Sequence, residues 1–262
     1  MKTAKRKLDK KGLAIAFVLI GIGVALLLVN FAGFVTPLRN PNIFNKLDVL
    51  IEKQFYEAIV WEGETTAEYA VKVNDAVNNG IVQYWDDVGI TKYNLRVPVQ
   101  ENWLLYCFWP GKYEFFDYRR AVERGVGLCS QESIIVSGIM QEHDINSWAV
   151  GMERHTVVMV QVDEVNNTWW VLDPSYGVVI EYSISEIARN PEIIAPYYSQ
   201  KGYSDDVVRN LETIYREDPY SLYVGRIWLY LENFYYSMKW VVPLILAVVP
   251  SFVLYRNRKR NG

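Results

Sequence analysis

Residues 124–180, RGVGLCSQESIIVSGIMQEHDINSWAVGMERHTVVMVQVDEVNNTWWVLDPSYGVVI, decide the reading of this chain. Gly125 and Gly127 predict a flexible turn, and Cys129 then opens a segment with Ile134, Ile135, Ile139 and Met140 at the spacing of a buried helix. Ser147 to Met152, Thr156 to Val162 and Thr168 to Leu172 are Val-rich and alternate as strands do. His155 heads the second strand, and Asp173, backed by Pro174, closes the third. A helix followed by short hairpin-linked strands predicts an α+β domain with a small antiparallel sheet. A thiol at a helix N-terminus sees the positive end of the dipole, which favours the thiolate, and the unpaired amides there can hold an oxyanion. Cys129, His155 and Asp173, separated by 26 and 18 positions, therefore form a candidate nucleophile, general base and orienting carboxylate.

The register of the hairpin tests that grouping. If Asn166-Asn167 made a two-residue turn, paired positions would sum to 333, and Val160 would lie opposite Asp173, which then faces away from His155. A direct His155–Asp173 pair needs a sum of 328, so the triad predicts an odd-length loop or a β-bulge between the strands.

GVGLCSQES around Cys129, the HDIN turn, His155 at the head of a strand and WWVLDP carrying Asp173 resemble the transglutaminase-like superfamily, related in architecture to papain-like cysteine peptidases. The resemblance covers roughly residues 101–180. It implies that Cys129 attacks an amide or ester carbonyl, that His155 exchanges the proton and that Asp173 holds the imidazole. The acyl-enzyme would pass to water or to an amine. An upstream donor usually completes the oxyanion site of the family, and Trp103, Tyr106, Trp109, Tyr113 and Tyr118 are available. The chain departs from better-known members in having Ser-Gln after the Cys and Thr-Val-Val after the His.

Other reactive side chains read more simply. Cys107, in LLYCFWP, is expected in the core, with a Cys107–Cys129 disulfide as the alternative in an oxidising compartment. His143 reads as a solvated turn residue. Two Cys and two His without CxxC or HExxH spacing predict no metal site, and no cofactor motif is present. Asp86, Asp87, Asp205 and Asp206 read as solvated loop or helix-end charges.

Outward from this stretch the chain is flanked by apolar segments. Residues 12–35, GLAIAFVLIGIGVALLLVNFAGFV, carry no charge and exceed the ~20 residues of a membrane span. They are also longer than the ~7–15 residues of a signal-peptide core, which favours an uncleaved anchor. Residues 240–255, WVVPLILAVVPSFVLY, are a shorter second span with Pro243 and Pro250 inside it. The domain plan is thus a basic tail (1–11), a span (12–35), a helical segment (36–100), the transglutaminase-like core (101–200), a C-terminal helical segment (201–239), a second span (240–255) and a basic tail (256–262). Packing helices are expected over 44–60 and from Thr66, the latter with Ala70, Val73 and Val77 on one face; a third should start at Ser204.

The formal charge of −3 over 262 residues hides a division. Ten of the 27 basic residues lie in the two tails, leaving 17 bases against 29 acids at positions 12–255, a charge of −12. An acidic body excludes a nucleic-acid reader, while 51% apolar residues exclude a disordered chain. Lys and Arg are retained in the cytoplasm, so both termini are expected inside and the body outside the membrane. The sequence thus predicts a membrane-anchored extracytoplasmic cysteine enzyme acting on peptide, protein or cell-envelope polymers. The alternative is a catalytically silent scaffold that engages membrane-protein partners in an envelope or polysaccharide assembly complex.

Overall fold

A computed structural model of the chain describes residues 9–40, 44, 48–83, 95–216, 220–221 and 226–259. Leu47, Asp86 and Asp87, residues 1–8 of the N-terminal basic tail and 260–262 of the C-terminal one lie outside them. The chain is mixed α/β and divides into two compact units: Met1–Leu38, Arg96–Pro110 and Asn233–Gly262 form one, and Arg39–Leu95 with Gly111–Glu232 the other. This division differs from the linear plan. Residues 96–110 belong with the apolar helices, and 201–232 belong with the body.

In the first unit, α1 (Lys10–Val35) starts at Asp9, whose carboxylate accepts from the Gly12 amide at 2.8 Å. Its buried residues, Ala16, Gly23 and Asn30, recur every seven positions and form one seam. A Cβ on Gly23 would lie 2.7 Å from the Pro243 carbonyl and 2.8 Å from the Ala247 nitrogen, so only glycine permits this approach. The facing helix is the C-terminal α10 (Arg226–Lys259), with Pro243 and Pro250 in its interior. It begins well before Trp240, because residues 226–240 contain no Gly or Pro. At 34 residues it is ~51 Å long, against ~30 Å of hydrocarbon. Asn30 donates to the Lys239 carbonyl at 2.6 Å, and Phe31, Phe34 and Trp240 cluster beside it. Both helices are long and apolar enough to cross a membrane. The short helix Trp103–Phe108 buries only Leu105. Cys107 is therefore exposed rather than in a core, and both cysteines are free thiols.

The body opens with α2 (Glu52–Ala58) and α3 (Thr66–Gly80); the latter begins with a reciprocal Thr65–Glu68 capping box and fully buries Ala70, Val73 and Val77. Counting Trp103–Phe108 as α4, the chain continues through α5 (Tyr118–Arg124) and α6 (Cys129–Glu142). Between them Gly125 closes α5 in the left-handed conformation at φ 67°. Two-residue strands, β1 (Val82–Gln83) and β2 (Val126–Gly127), pair in parallel and deliver the chain to Cys129. The main sheet runs β6-β5-β4-β3-β7, antiparallel throughout, from β3 (Ser147–Met152), β4 (His155–Asp163), β5 (Thr168–Asp173), β6 (Val178–Ile180) and β7 (Tyr220–Ser221). One face, with Val150, Val157, Val171 and Ile180, packs on α7 (Ile184–Arg189), the turn Pro191–Ile194, α8 (Ala195–Gln200) and α9 (Asp205–Tyr215). Ala149, Val158 and Leu172, of opposite parity, are buried as well, and α6 is the helix that lies against β3 and β4. Helix α9 starts after Ser204 as its sequence predicts, although the Ser204 side chain makes no capping bond.

The β4–β5 register settles the hairpin argument. Val158 pairs with Leu172 and Gln161 with Trp169, sums of 330, whereas Asp163 pairs with Thr168. A bulge between Gln161 and Asp163 takes up the odd residue, Val162. Neither 333 nor 328 occurs. Asp173 falls opposite Val157, and His155 lies two residues further along the same face, a diagonal rather than a direct neighbour.

Candidate active site

The site forms where α6 begins. Gly127 is required there, because a Cβ on it would lie 2.7 Å from the Gln131 Cβ. Leu128 occupies the N-cap and has no side chain that can cap the helix, so the first-turn amides beside Cys129 receive no local acceptor from it. Cys129 is partly exposed and lies close enough to His155 to raise the pKa of its imidazole. His155 Nε2 lies 2.8 Å from Asp173 Oδ2, so Nδ1 is the ring nitrogen that Asp173 does not hold. The three residues are thus brought to one imidazole.

Asp173 is fully buried, and its Oδ2 also accepts from the Tyr198 hydroxyl at 2.6 Å. Tyr215 lies 3.1 Å behind Tyr198, hydroxyl to hydroxyl. Among the described residues Oδ1 has no hydrogen-bond partner. A buried carboxylate with so little compensation attracts a proton to its neighbour. Burial alone would lower the His155 pKa, but the Asp173 charge and hydrogen bond, with a further contribution from Cys129, outweigh it and raise the pKa to about 10. The Tyr176 ring stands edge-on to the imidazole with centroids 5.5 Å apart.

Glu132, one turn after Cys129, is the residue that sequence reasoning missed. It is 1% exposed, accepts from the Ser175 hydroxyl and lies 3.4 Å from Gln83 Nε2. Gln83 also donates to the Ser175 carbonyl at 2.7 Å, so β1, α6 and the turn after Asp173 meet at this carboxyl. Burial pushes its pKa up to about 8; Asp173 and Cys129 add to the rise, while Ser175 and His155 oppose it. An acid three positions after the cysteine, on a helix otherwise lined with Ile and Met, was the available signal.

Of the aromatic residues offered as oxyanion donors, Tyr113 and Tyr118 bond to Glu232 and Glu142 through their hydroxyls. Trp103, Tyr106 and Trp109 belong to the other compact unit. His143 ends α6, exposed at the surface, with its ring against Trp61 and Tyr69. Among the described residues no three His, Cys, Asp or Glu side chains gather as a metal-holding group.

No protein-family model matches the chain, and no curated protein matches it.

Proposed function

We propose that the chain is a membrane-anchored, transglutaminase-like cysteine enzyme that cleaves or transfers acyl groups at amide bonds of peptide, protein or cell-envelope substrates. The observation that carries this reading is that Asp173 holds the His155 imidazole while Cys129, at a helix N-terminus without a side-chain cap, acts on the same imidazole. A protonated imidazole and a helix dipole both favour the thiolate. In the reaction the Cys129 sulfur attacks the carbonyl carbon, and amides of the first turn of α6 receive the developing oxyanion. The imidazolium of His155 protonates the leaving amine, and the C–N bond breaks to leave a thioester. His155, now neutral and held by Asp173, takes a proton from the incoming water or amine, which displaces Cys129. The positive-inside pattern supports placing the body on the extracytoplasmic side, with α1 and α10 as the anchors.

Iodoacetamide labelling tests this on the full-length protein, with the exposed Cys107 replaced by Ser. Cys129 should label rapidly at neutral pH, and His155→Ala should slow it by about tenfold, toward the behaviour of an ordinary thiol of pKa ~8.5. A Cys129 that labels slowly and is indifferent to His155 favours the scaffold reading instead.

A further inference from the structure

Glu232 lies in the second turn of α10 and is 1% exposed, with both carboxylate oxygens occupied. Oε2 accepts from the Tyr113 hydroxyl at 3.0 Å and the Phe116 amide at 2.8 Å. Oε1 accepts from the Asp117 amide at 3.3 Å and from Arg120 at 2.7 Å. One side chain therefore gathers the segment 113–117 and the start of α5.

That segment leads directly to the nucleophile. Gln131 receives the Phe115 amide at 2.7 Å and donates to the Phe115 carbonyl at 2.8 Å, a two-point bridge. Arg124, itself buried, spans the Tyr113 carbonyl at 2.6 Å and Gln131 Oε1 at 2.8 Å. The Ser130 hydroxyl donates to Glu114. Ser130 and Gln131 are the two residues after Cys129. Because Leu128 supplies no side-chain cap, the first turn of α6 has no anchor of that local kind, and these tertiary bonds take its place.

We propose that Glu232 is a positioning residue for Cys129, fixing the 113–117 segment that in turn fixes the first turn of α6. The proposal rests on Cys129 being the nucleophile. A single helix then carries apolar sequence along most of its length and, near its start, a residue on which the geometry of the thiol depends.

The test compares Glu232→Gln and Tyr113→Phe with the parent protein, full length in detergent micelles and on the Cys107→Ser background. Two quantities are measured: the pH profile of Cys129 alkylation by iodoacetamide and the thermal midpoint. Glu232→Gln should slow labelling at neutral pH by about tenfold, which corresponds to about one pH unit in the profile. Tyr113→Phe, which removes one donor of four, should shift the profile the same way by less. Profiles that coincide with the parent's, even with a lowered thermal midpoint, overturn the proposal and leave Glu232 a purely structural residue. If Glu232→Gln does not accumulate as folded protein, Tyr113→Phe decides by the same criterion. A parent protein whose Cys129 is unreactive at neutral pH and indifferent to His155→Ala removes the catalytic reading and this proposal with it. A reactive parent with unshifted variants removes the Glu232 role alone.

Discussion

At the scale of the residue, the unusual group is Glu132. Its folded-state carboxyl keeps its proton to about pH 8, whereas an ordinary one releases it near 4.5. Across that interval the folded protein binds more protons than the unfolded chain, so this contribution to stability is complete below 4.5 and is lost as pH rises through 8. The charges that face it are Asp173 from β5, Cys129 from its own helix and His155 from β4. His155 acts with the same sign over a higher window, because its folded-state pKa is raised from 6.5 to about 10. Glu132→Gln should therefore flatten the fall of the thermal midpoint between pH 4.5 and 8 and leave the fall above it; an unchanged slope would show that the carboxyl ionises normally. Cys129, His155 and Asp173 are visible in the sequence because each stands at the end of an element with a strong pattern. Tyr198 is not visible, since it reaches Asp173 from a helix 25 residues further on and nothing local marks a tyrosine as a carboxylate partner.

At the scale of the element, parity decides whether the hairpin can hold the site. The bulge residue Val162 stands outside the β4–β5 ladder, between Gln161 paired to Trp169 and Asp163 paired to Thr168. Deleting Val162 leaves every other pair in place, whereas deleting Leu172, on the strand without a bulge, moves Asp173 to the place opposite Val158 and turns its carboxylate to the opposite face. Cys129 labelling in the first deletion should match the parent and in the second should fall to the ordinary-thiol rate. Equal behaviour of the two would mean that the register does not set the site. The sequence could show that a simple two-residue turn was incompatible with the triad, because side-chain direction has period two. It could not choose between direct and diagonal pairing, because both lie on the same face and only the packing of Val157 and Val171 against the helices beyond selects one. The extent of α10 was underestimated for another reason: hydropathy finds where a helix is apolar, and the polar turns from Arg226 continue the helix without that signal.

At the scale of the whole molecule, the acidic middle and basic ends imply an orientation that can be measured. Reporter fusions or cysteine accessibility at each terminus should place both tails in the cytoplasm and Val165, 94% exposed in the β4–β5 turn, outside. A terminus found outside would contradict the two-span arrangement. Neighbours in sequence are not always neighbours in space: residues 96–110 group with segments from both ends of the chain. The same interleaving has a consequence for synthesis. Phe116 leaves the ribosome 116 residues before the Glu232 that accepts its amide, an interval of roughly 6–23 s at 5–20 residues per second. Until the start of the last helix has been translated, the segment that braces the cysteine lacks its acceptor. The order of translation therefore makes the first turn of α6, with Cys129, one of the last parts of the molecule to be set in place.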